Sequence, residues 1–177
     1  MDVVAIPPFE RFYGQHATEV LSYLRRLLGQ RAEDAWQETF LRALRAYDRL
    51  QHGRHLRAWV FRIATNVAMD ELRASDNVVL ADAVDGEPVE VDRPAYAELE
   101  HLTAGLPPKE RAAVVLRYGY DLPYDQIGVA LGSSEEAARA AASSGVRRLR
   151  RRLSAPTSGR AGFAGASVGD ADQERSE

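Results

Sequence analysis

The chain has 177 residues, no cysteine, 45% apolar residues and a formal net charge of −3 at pH 7. This length is enough for one domain or two small ones, and the lack of cysteine excludes disulfide bridges and thiolate metal sites. No apolar run approaches the roughly 18 residues that a membrane span needs, and the acidic N-terminus does not resemble a secretory signal. We therefore expect a soluble cytoplasmic protein.

Charge is distributed unevenly along the chain. Residues 31–75 carry eight arginines against six acids, residues 76–100 carry eight acids against one arginine, and residues 101–153 carry nine basic groups against five acids. A phosphate backbone responds to the local field, so an overall pI of 5.9 does not exclude nucleic-acid binding. The pattern predicts two mildly basic blocks joined by an acidic connector.

The first block has the apolar spacing of three helices. The first helix carries an apolar stripe that stops at Gly29, a residue suited to a C-terminal cap. The second, about residues 31–47, places Trp36 and aromatic residues on one face and acids on the neighbouring face. The third, about residues 56–73, buries apolar residues at helical spacing. Trp36 and Trp59 are predicted to anchor the core rather than stack on bases.

The composition changes at residue 75. Residues 75–93 are rich in acids, contain Gly86 and Pro88, and have little sustained periodicity, which is typical of a linker. Residues 154–177 also lack periodicity and are predicted to be a disordered tail.

The second block is predicted to end in a helix-turn-helix. A short helix about residues 96–104 is followed by a second one that starts at Pro107-Pro108, where proline is tolerated. An amphipathic segment then stops at Gly132, and Ser133 and Glu136 have the spacing of a capping box for the next helix. A solvated pair of helices would use the same signals.

Three ordered stretches resemble one protein family. They read DAWQETFLRA at 34–43, LRAWVFRIATNVAMD at 56–70, and LPPKER at 106–111 followed by YDQIG at 124–128. Each is similar to a region of the extracytoplasmic-function group of sigma-70 family RNA polymerase sigma factors. The resemblance covers about residues 9–153.

The resemblance implies an all-α fold with two small helical domains joined by a flexible acidic linker. Sigma region 2, for core polymerase binding and minus-10 recognition and melting, would occupy residues 1–74, and the linker residues 75–93. Sigma region 4, a helix-turn-helix for minus-35 binding, would occupy residues 94–153, before the tail at 154–177. The implied partners are core RNA polymerase, through its beta-prime clamp and beta subunit, promoter DNA and an anti-sigma protein.

The family pattern also assigns site residues in the first block. The face predicted to dock on the polymerase clamp contains Asp34, Gln37, Glu38 and Leu41. Asn66 falls where the family reads an unpaired minus-10 base, and an amide suits that role because it offers a donor and an acceptor. The segment of residues 50–55, before the third helix, falls where the family captures a flipped base, with Leu50 in place of the usual aromatic. The expected minus-10 residues are Leu50, His52, Arg54, Arg57, Arg62, Asn66 and Arg73.

The predicted recognition helix departs from the family pattern because it is rich in alanine, which offers no side-chain hydrogen bond. Direct base reading is therefore expected to be sparse, and the closing arginines are suited to phosphates. Gly145 inside this helix predicts a bend or an early fray. The expected minus-35 residues are Ser134, Glu135, Arg139, Ser143, Ser144, Arg147 and Arg148.

Catalytic motifs are not apparent in the sequence. The four histidines lack zincin spacing, and neither a glycine-rich phosphate loop nor a nucleophile elbow is found. We expect no enzyme activity, no cofactor and no metal. Two other functions stay open: a helix-turn-helix regulator that acts without polymerase, and a degenerate sigma-like interaction module.

Overall fold

The structure, a computed structural model, describes residues 4–79 and 102–154. All regular elements in these two ranges are helical, which confirms the all-α prediction. None of the helices described has the length and apolar character needed to cross a membrane.

The first block consists of three helices, as predicted. They are α1 (Phe9–Leu28), α2 (Ala32–Tyr47) and α3 (Leu56–Val79), with a 3-10 turn at Gly29–Arg31 between the first two. Gly29 ends α1 with a φ of 60°, a left-handed conformation that glycine adopts without a Cβ clash. Helix α3 continues to Val79, so the predicted helix end at residue 73 is wrong, and the domain boundary expected at residue 75 stays a prediction. Neither glycine nor proline interrupts the helix there.

The second block contains the predicted helix-turn-helix. Its elements are α4 (Pro108–Val114), a π-helical turn (Val115–Gly119), α5 (Tyr124–Leu131) and α6 (Glu135–Ser154). Gly132 makes the turn with φ 62° and ψ 38°. The capping residue of α6 is Ser134, whose Oγ accepts from the Ala137 amide at 3.2 Å, rather than the predicted Ser133. Helix α6 begins one residue later than the capping-box spacing implied.

Parts of two other predictions lie outside the described residues. The helix expected about residues 96–104 is described only from Leu102, where two helical residues precede a turn. The acidic connector is not described over residues 80–101, and the predicted disordered tail lies outside the described residues from residue 155 onward.

Both tryptophans pack against the core, as predicted. The indole of Trp36 donates to the Ala17 carbonyl at 2.9 Å, which ties α2 to α1. The Trp59 ring lies 5.7 Å from the ring of Phe12 and 6.1 Å from that of Tyr47. Both tryptophans are only partly buried.

The two blocks pack against each other across α3 and share one cluster of buried residues. The ring of Tyr120, just after the π-helical turn, lies 5.9 Å from the Tyr23 ring and 5.3 Å from the Phe61 ring. The Arg26 guanidinium lies 5.0 Å from the centre of the Tyr120 ring, and Arg57 donates to the Tyr120 carbonyl at 3.0 Å. No pattern in the sequence indicates this contact between the blocks.

Gly145 is buried where α6 crosses α4, and α6 continues through it to Ser154. The predicted bend or fray is therefore wrong. A Cβ at residue 145 would lie 2.6 Å from Val114 Cγ2 and 3.3 Å from the Glu110 carbonyl oxygen. Glycine is present because the two helices approach too closely for a side chain.

We expect Gly145→Ala to lower the free energy of unfolding by about 1 to 2 kcal/mol, because overpacking outweighs the gain in helix propensity. Gly14→Ala is the matched control, since no atom lies within 4 Å of the added Cβ in the middle of α1. It should raise stability by up to about 1 kcal/mol. Urea unfolding followed by circular dichroism measures both values. An unchanged or higher midpoint for Gly145→Ala would contradict the close approach.

Candidate nucleic-acid interface

The outward face of α2 is polar with two exposed leucines. Asp34, Gln37 and Leu41 are exposed, as predicted for a docking face. Leu44 is 50% exposed beside Leu41, which is 48% exposed. The spacing of residues 37, 41 and 44 could have indicated that Leu44 shares this face.

Arg42 links this face to α3. Its Nε donates to the Glu38 carboxylate at 2.6 Å, and its Nη1 lies 3.5 Å from Oδ2 of Asp70 on α3. The hydrogen bond with Glu38 and the two negative charges raise the pKa of the Arg42 guanidinium. Arg42 thus links the two predicted functional surfaces through ion pairs with Glu38 and Asp70.

A cavity of about 390 Å³ lies beside the loop of residues 48–55, which we name the capture loop after the role that the family resemblance predicts for it. The predicted residues Leu50, His52 and Arg54 all line it, with Leu50 packed against the core and the other two exposed. Val129 of α5 closes one side and could not be foreseen, because it lies in the other block. The lining consists of Arg49, Leu50, Gln51, His52, Arg54, His55, Leu56, Trp59 and Val129.

A second cavity of about 270 Å³ lies between α2 and α3. Asn66 and Arg62, both exposed, come together here, one turn apart on α3. The sequence missed Arg42 and Ala46, because they reach this cavity from α2. Trp59 lines both cavities and separates the capture loop from Asn66. The lining consists of Arg42, Ala46, Trp59, Arg62, Ile63 and Asn66.

Arg57 and Arg73 lie outside both cavities. Arg57 Nε lies 3.1 and 3.3 Å from the two carboxylate oxygens of Glu19, and this arginine also contacts the second block. Arg73 donates to the Asp70 carboxylate at 2.6 Å. Their predicted role in minus-10 binding stays a prediction, since both charges have internal partners here.

Glu19 holds Arg57 in place. Burial acts to raise the pKa of the Glu19 carboxyl, but hydrogen bonds from His16 and Arg57, together with their charges, lower it below its ordinary value of 4.5. The Nδ1 of His16 lies 2.7 Å from Oε1 of Glu19. The carboxylate is therefore the stabilised form of Glu19, and it orients Arg57 toward the second block.

The predicted minus-35 residues on α6 fall into two groups. Ser144 donates to Glu110 Oε1 at 2.9 Å, and Arg148 Nε lies 2.9 Å from Glu110 Oε2, so both contact α4. Ser143 and Arg147 are exposed. Near the start of α6, Ser134 is the cap and Glu135 pairs with Arg139 at 2.6 Å.

The Arg139 guanidinium also lies over a ring. It is 4.8 Å from the centre of the Tyr124 ring of α5, which Arg117 contacts as well at 5.0 Å. Arg139 therefore has two partners within the helix-turn-helix, Glu135 and the Tyr124 ring.

Family models of sigma-70 region 2 and sigma-70 region 4 match residues 12–78 and 104–151. The RNA polymerase sigma factor CarQ of Myxococcus xanthus is 32% identical over 154 residues, which cover 82% of this chain and 88% of CarQ. The ECF RNA polymerase sigma factor SigL of Mycobacterium tuberculosis is 33% identical over 150 residues, covering 78% of this chain and 84% of SigL. The chain belongs to the extracytoplasmic-function (ECF) group of sigma-70 family sigma factors.

A longer ECF sigma factor is also similar. SigE of Mycolicibacterium smegmatis is 35% identical over 144 residues, which cover 74% of this chain but 56% of SigE, so the match extends over about half of that relative. Sigma factors are non-enzymatic, RNA polymerase-associated proteins for promoter recognition. Membership of this group does not favour a helix-turn-helix regulator that acts without polymerase, because such a regulator would not need region 2.

Two solved structures have the same fold as this ECF sigma factor. The sigma factor RpoE of Bartonella quintana, in complex with the anti-sigma factor NepR, aligns with a TM-score of 0.71 and 21% identity, covering 84% of this chain and 98% of RpoE. CnrH, in complex with the cytosolic domain of CnrY, aligns with a TM-score of 0.63 and 22% identity, covering 84% and 89%.

We expect Glu19→Gln to lower the free energy of unfolding at pH 7 by about 1 to 2 kcal/mol, because two hydrogen bonds to a charged group are weakened. The lowered pKa of Glu19 means that this stabilisation is present above pH 4.5 and is lost as the pH falls through the folded-state pKa. The difference between wild type and variant should therefore shrink below pH 4.5. Urea unfolding at several pH values measures it.

The control for this pH dependence is Glu33→Gln. Glu33 forms an exposed ion pair with Arg25, which should contribute less than about 0.5 kcal/mol at any pH. Equal effects of the two substitutions would contradict a specific role for Glu19 at the contact between blocks.

Proposed function

We propose that this chain binds core RNA polymerase through the outer face of α2, opens promoter DNA over α3 and the capture loop, and holds an upstream element with the helix-turn-helix. The arrangement that carries this proposal is the pair of cavities on either side of Trp59, bordered by the capture loop and by Asn66. The protein would act without catalysing a reaction, in the cytoplasm, where polymerase and promoters are found.

The α2 face has the chemistry of a protein docking site. Two exposed leucines lie among Asp34, Gln37 and Glu38, which gives an apolar centre with polar surroundings. Within residues 4–79 and 102–154, both leucines stay about half exposed, on adjacent turns of α2. The clamp of the polymerase beta-prime subunit is the occupant we propose, with the beta subunit as a further contact.

The two cavities suit unpaired bases. The first has a loop wall with cationic and imidazole side chains, and the second presents the Asn66 amide between two arginines. Because a base removed from a duplex loses its stacking, an existing cavity with a partly exposed indole wall lowers that cost. We assign the preference for particular bases to Asn66 and to the capture loop, and phosphate binding to Arg62 and Arg54.

The helix-turn-helix is proposed to bind the upstream element mainly through phosphates. The residues of α6 that are exposed without a contact to α4 include Ser143 and Arg147, whereas Ser144 and Arg148 are engaged by Glu110. Few side chains can therefore read base edges, and the closing arginines add affinity with little sequence information. Arg139, fixed over Tyr124, is the strongest candidate for a base contact.

Two further points complete the proposal. One structural neighbour, RpoE, was solved in complex with an anti-sigma factor, which supports an anti-sigma protein as a regulator of this chain. A degenerate sigma-like module would share the fold but would not support transcription. Run-off transcription from genomic promoter fragments with reconstituted holoenzyme separates these two functions.

We expect Asp34→Ala combined with Gln37→Ala to weaken binding to core polymerase about tenfold, because the polar contacts of the docking face are lost. Both side chains are exposed, so stability should change by less than about 0.5 kcal/mol. The matched control is Glu10→Ala with Gln15→Ala, an exposed acid and amide on α1. Fluorescence anisotropy with labelled protein measures the affinities. If both double variants bind like the wild type, the docking face has been misassigned.

We expect Asn66→Ala to reduce promoter opening far more than duplex binding, because its amide would contact a base that is exposed only after melting. Permanganate reactivity of thymines on duplex and pre-melted templates measures opening, and gel-shift titration measures binding. Gln30→Ala removes an exposed amide far from the cavities and serves as control. An equal loss in both assays would indicate that Asn66 acts in folding instead.

A further inference from the structure

The capture loop is attached from behind to residues 4–7, which we name the N-terminal segment. The amide of Gly53, in the middle of the loop, donates to the Val4 carbonyl at 2.8 Å. The hydroxyl of Tyr47, where α2 meets the loop, donates to the Pro7 carbonyl at 2.8 Å. Ile6, between these two points, packs against the core. The N-terminal segment therefore crosses the back of the loop and is itself anchored.

Gly53 is where the segment and the loop are closest. A Cβ at this position would lie 2.5 Å from the Ala5 carbonyl oxygen and 3.0 Å from the Val4 carbonyl oxygen. Both are backbone atoms, so a side chain could be accommodated only if one of the two chain segments moved. The neighbours of Gly53 in sequence, His52 and Arg54, both line the first cavity.

The loop backbone shows an independent sign of constraint. His55 has a φ of 58°, which places a residue with a Cβ in the left-handed region. Such conformations persist where the surrounding structure holds them. The first hydrogen bond of α3, from the Trp59 amide to the His55 carbonyl at 2.8 Å, fixes the loop at its other end. The loop is thus held at its start, its middle and its end.

We propose that the N-terminal segment positions the capture loop for an unpaired DNA base, and that Gly53 is the positioning residue through which it acts. A loop that is ordered before binding does not lose conformational freedom on binding, and its side chains already border the cavity. The identity of the ligand as an unpaired base rests on the proposed function. The attachment of the loop does not, because it follows from the contacts of Gly53 and Tyr47.

The test uses holoenzyme reconstituted from this chain and core RNA polymerase. The probe is a pool of single-stranded DNA of about 12 randomised nucleotides, which is captured by the holoenzyme and sequenced. Wild type should enrich particular bases. Gly53→Ala should lower the enrichment at one position about tenfold or more, because small displacements of binding groups have large effects. Affinity for core polymerase should stay unchanged, and Gly14→Ala, the matched glycine substitution, should enrich the same bases as wild type.

A variant that lacks residues 1–5 removes the Val4 and Ala5 carbonyls but leaves the Pro7 acceptor of Tyr47. It should lose the same base preference as Gly53→Ala. Both changes disrupt the same contact, that between the N-terminal segment and Gly53. Combining them should therefore have no greater effect than the larger single change. Additive losses would contradict a shared mechanism. If Gly53→Ala does not fold, the shortened variant decides, and retention of the wild-type preference would overturn the proposal.

Amide hydrogen exchange separates this proposal from the proposed function. The amides of the capture loop should exchange faster in the variant that lacks residues 1–5, with no change in α2. If wild type enriches no base, the proposed function fails, and the exchange rates still decide whether the segment holds the loop. Unchanged exchange in the loop would overturn the positioning role whatever the DNA pool shows.

Discussion

Helix α3 packs against helices of both blocks at the same time, and the rest of the structure depends on this packing. It packs against α1 and α2 within the first block and against α5 of the second. Small residues such as Ala64 and Ala68 are fully buried where it crosses its neighbours. The Tyr23 hydroxyl, 2.8 Å from Thr65 Oγ1, satisfies a polar group inside this contact. The strip of α3 that stays exposed carries Arg62 and Asn66.

The arginines of α3 differ in their surroundings, because the two sides of the helix face different parts of the structure. Arg57 lies on the side facing the second block, where Glu19 and the Tyr120 carbonyl compensate its charge. A partly buried guanidinium without such partners would be costly, so this pair is required by the packing. Arg62, one turn and a residue further along, lies on the exposed side and borders the second cavity. Similar side chains on one helix therefore have different partners because they point to different surroundings.

The high alanine content of α6, the predicted recognition helix, is explained by packing. Ala138, Ala142 and Gly145 are buried, at spacings of four and three, on the side of α6 that faces α4 and α5. Small side chains there allow the close approach of α4, and Glu110 then reaches Ser144 and Arg148. The alanines at 138 and 142 are therefore core residues. The sparse base reading that we propose for α6 rests mainly on the small number of polar residues on the opposite side.

The sequence by itself determined the helices, the helix-turn-helix and the exposed face of α2, because periodicity, glycine caps and family motifs are local properties. The sequence was also enough to place Asn66 and Arg62 close together, since they share a helix face. Only the tertiary structure decided that Arg42 joins them, that Val129 closes the loop cavity and that Gly53 meets Ala5. These contacts join residues far apart in the chain, and their geometry depends on how whole helices pack, which no local pattern encodes.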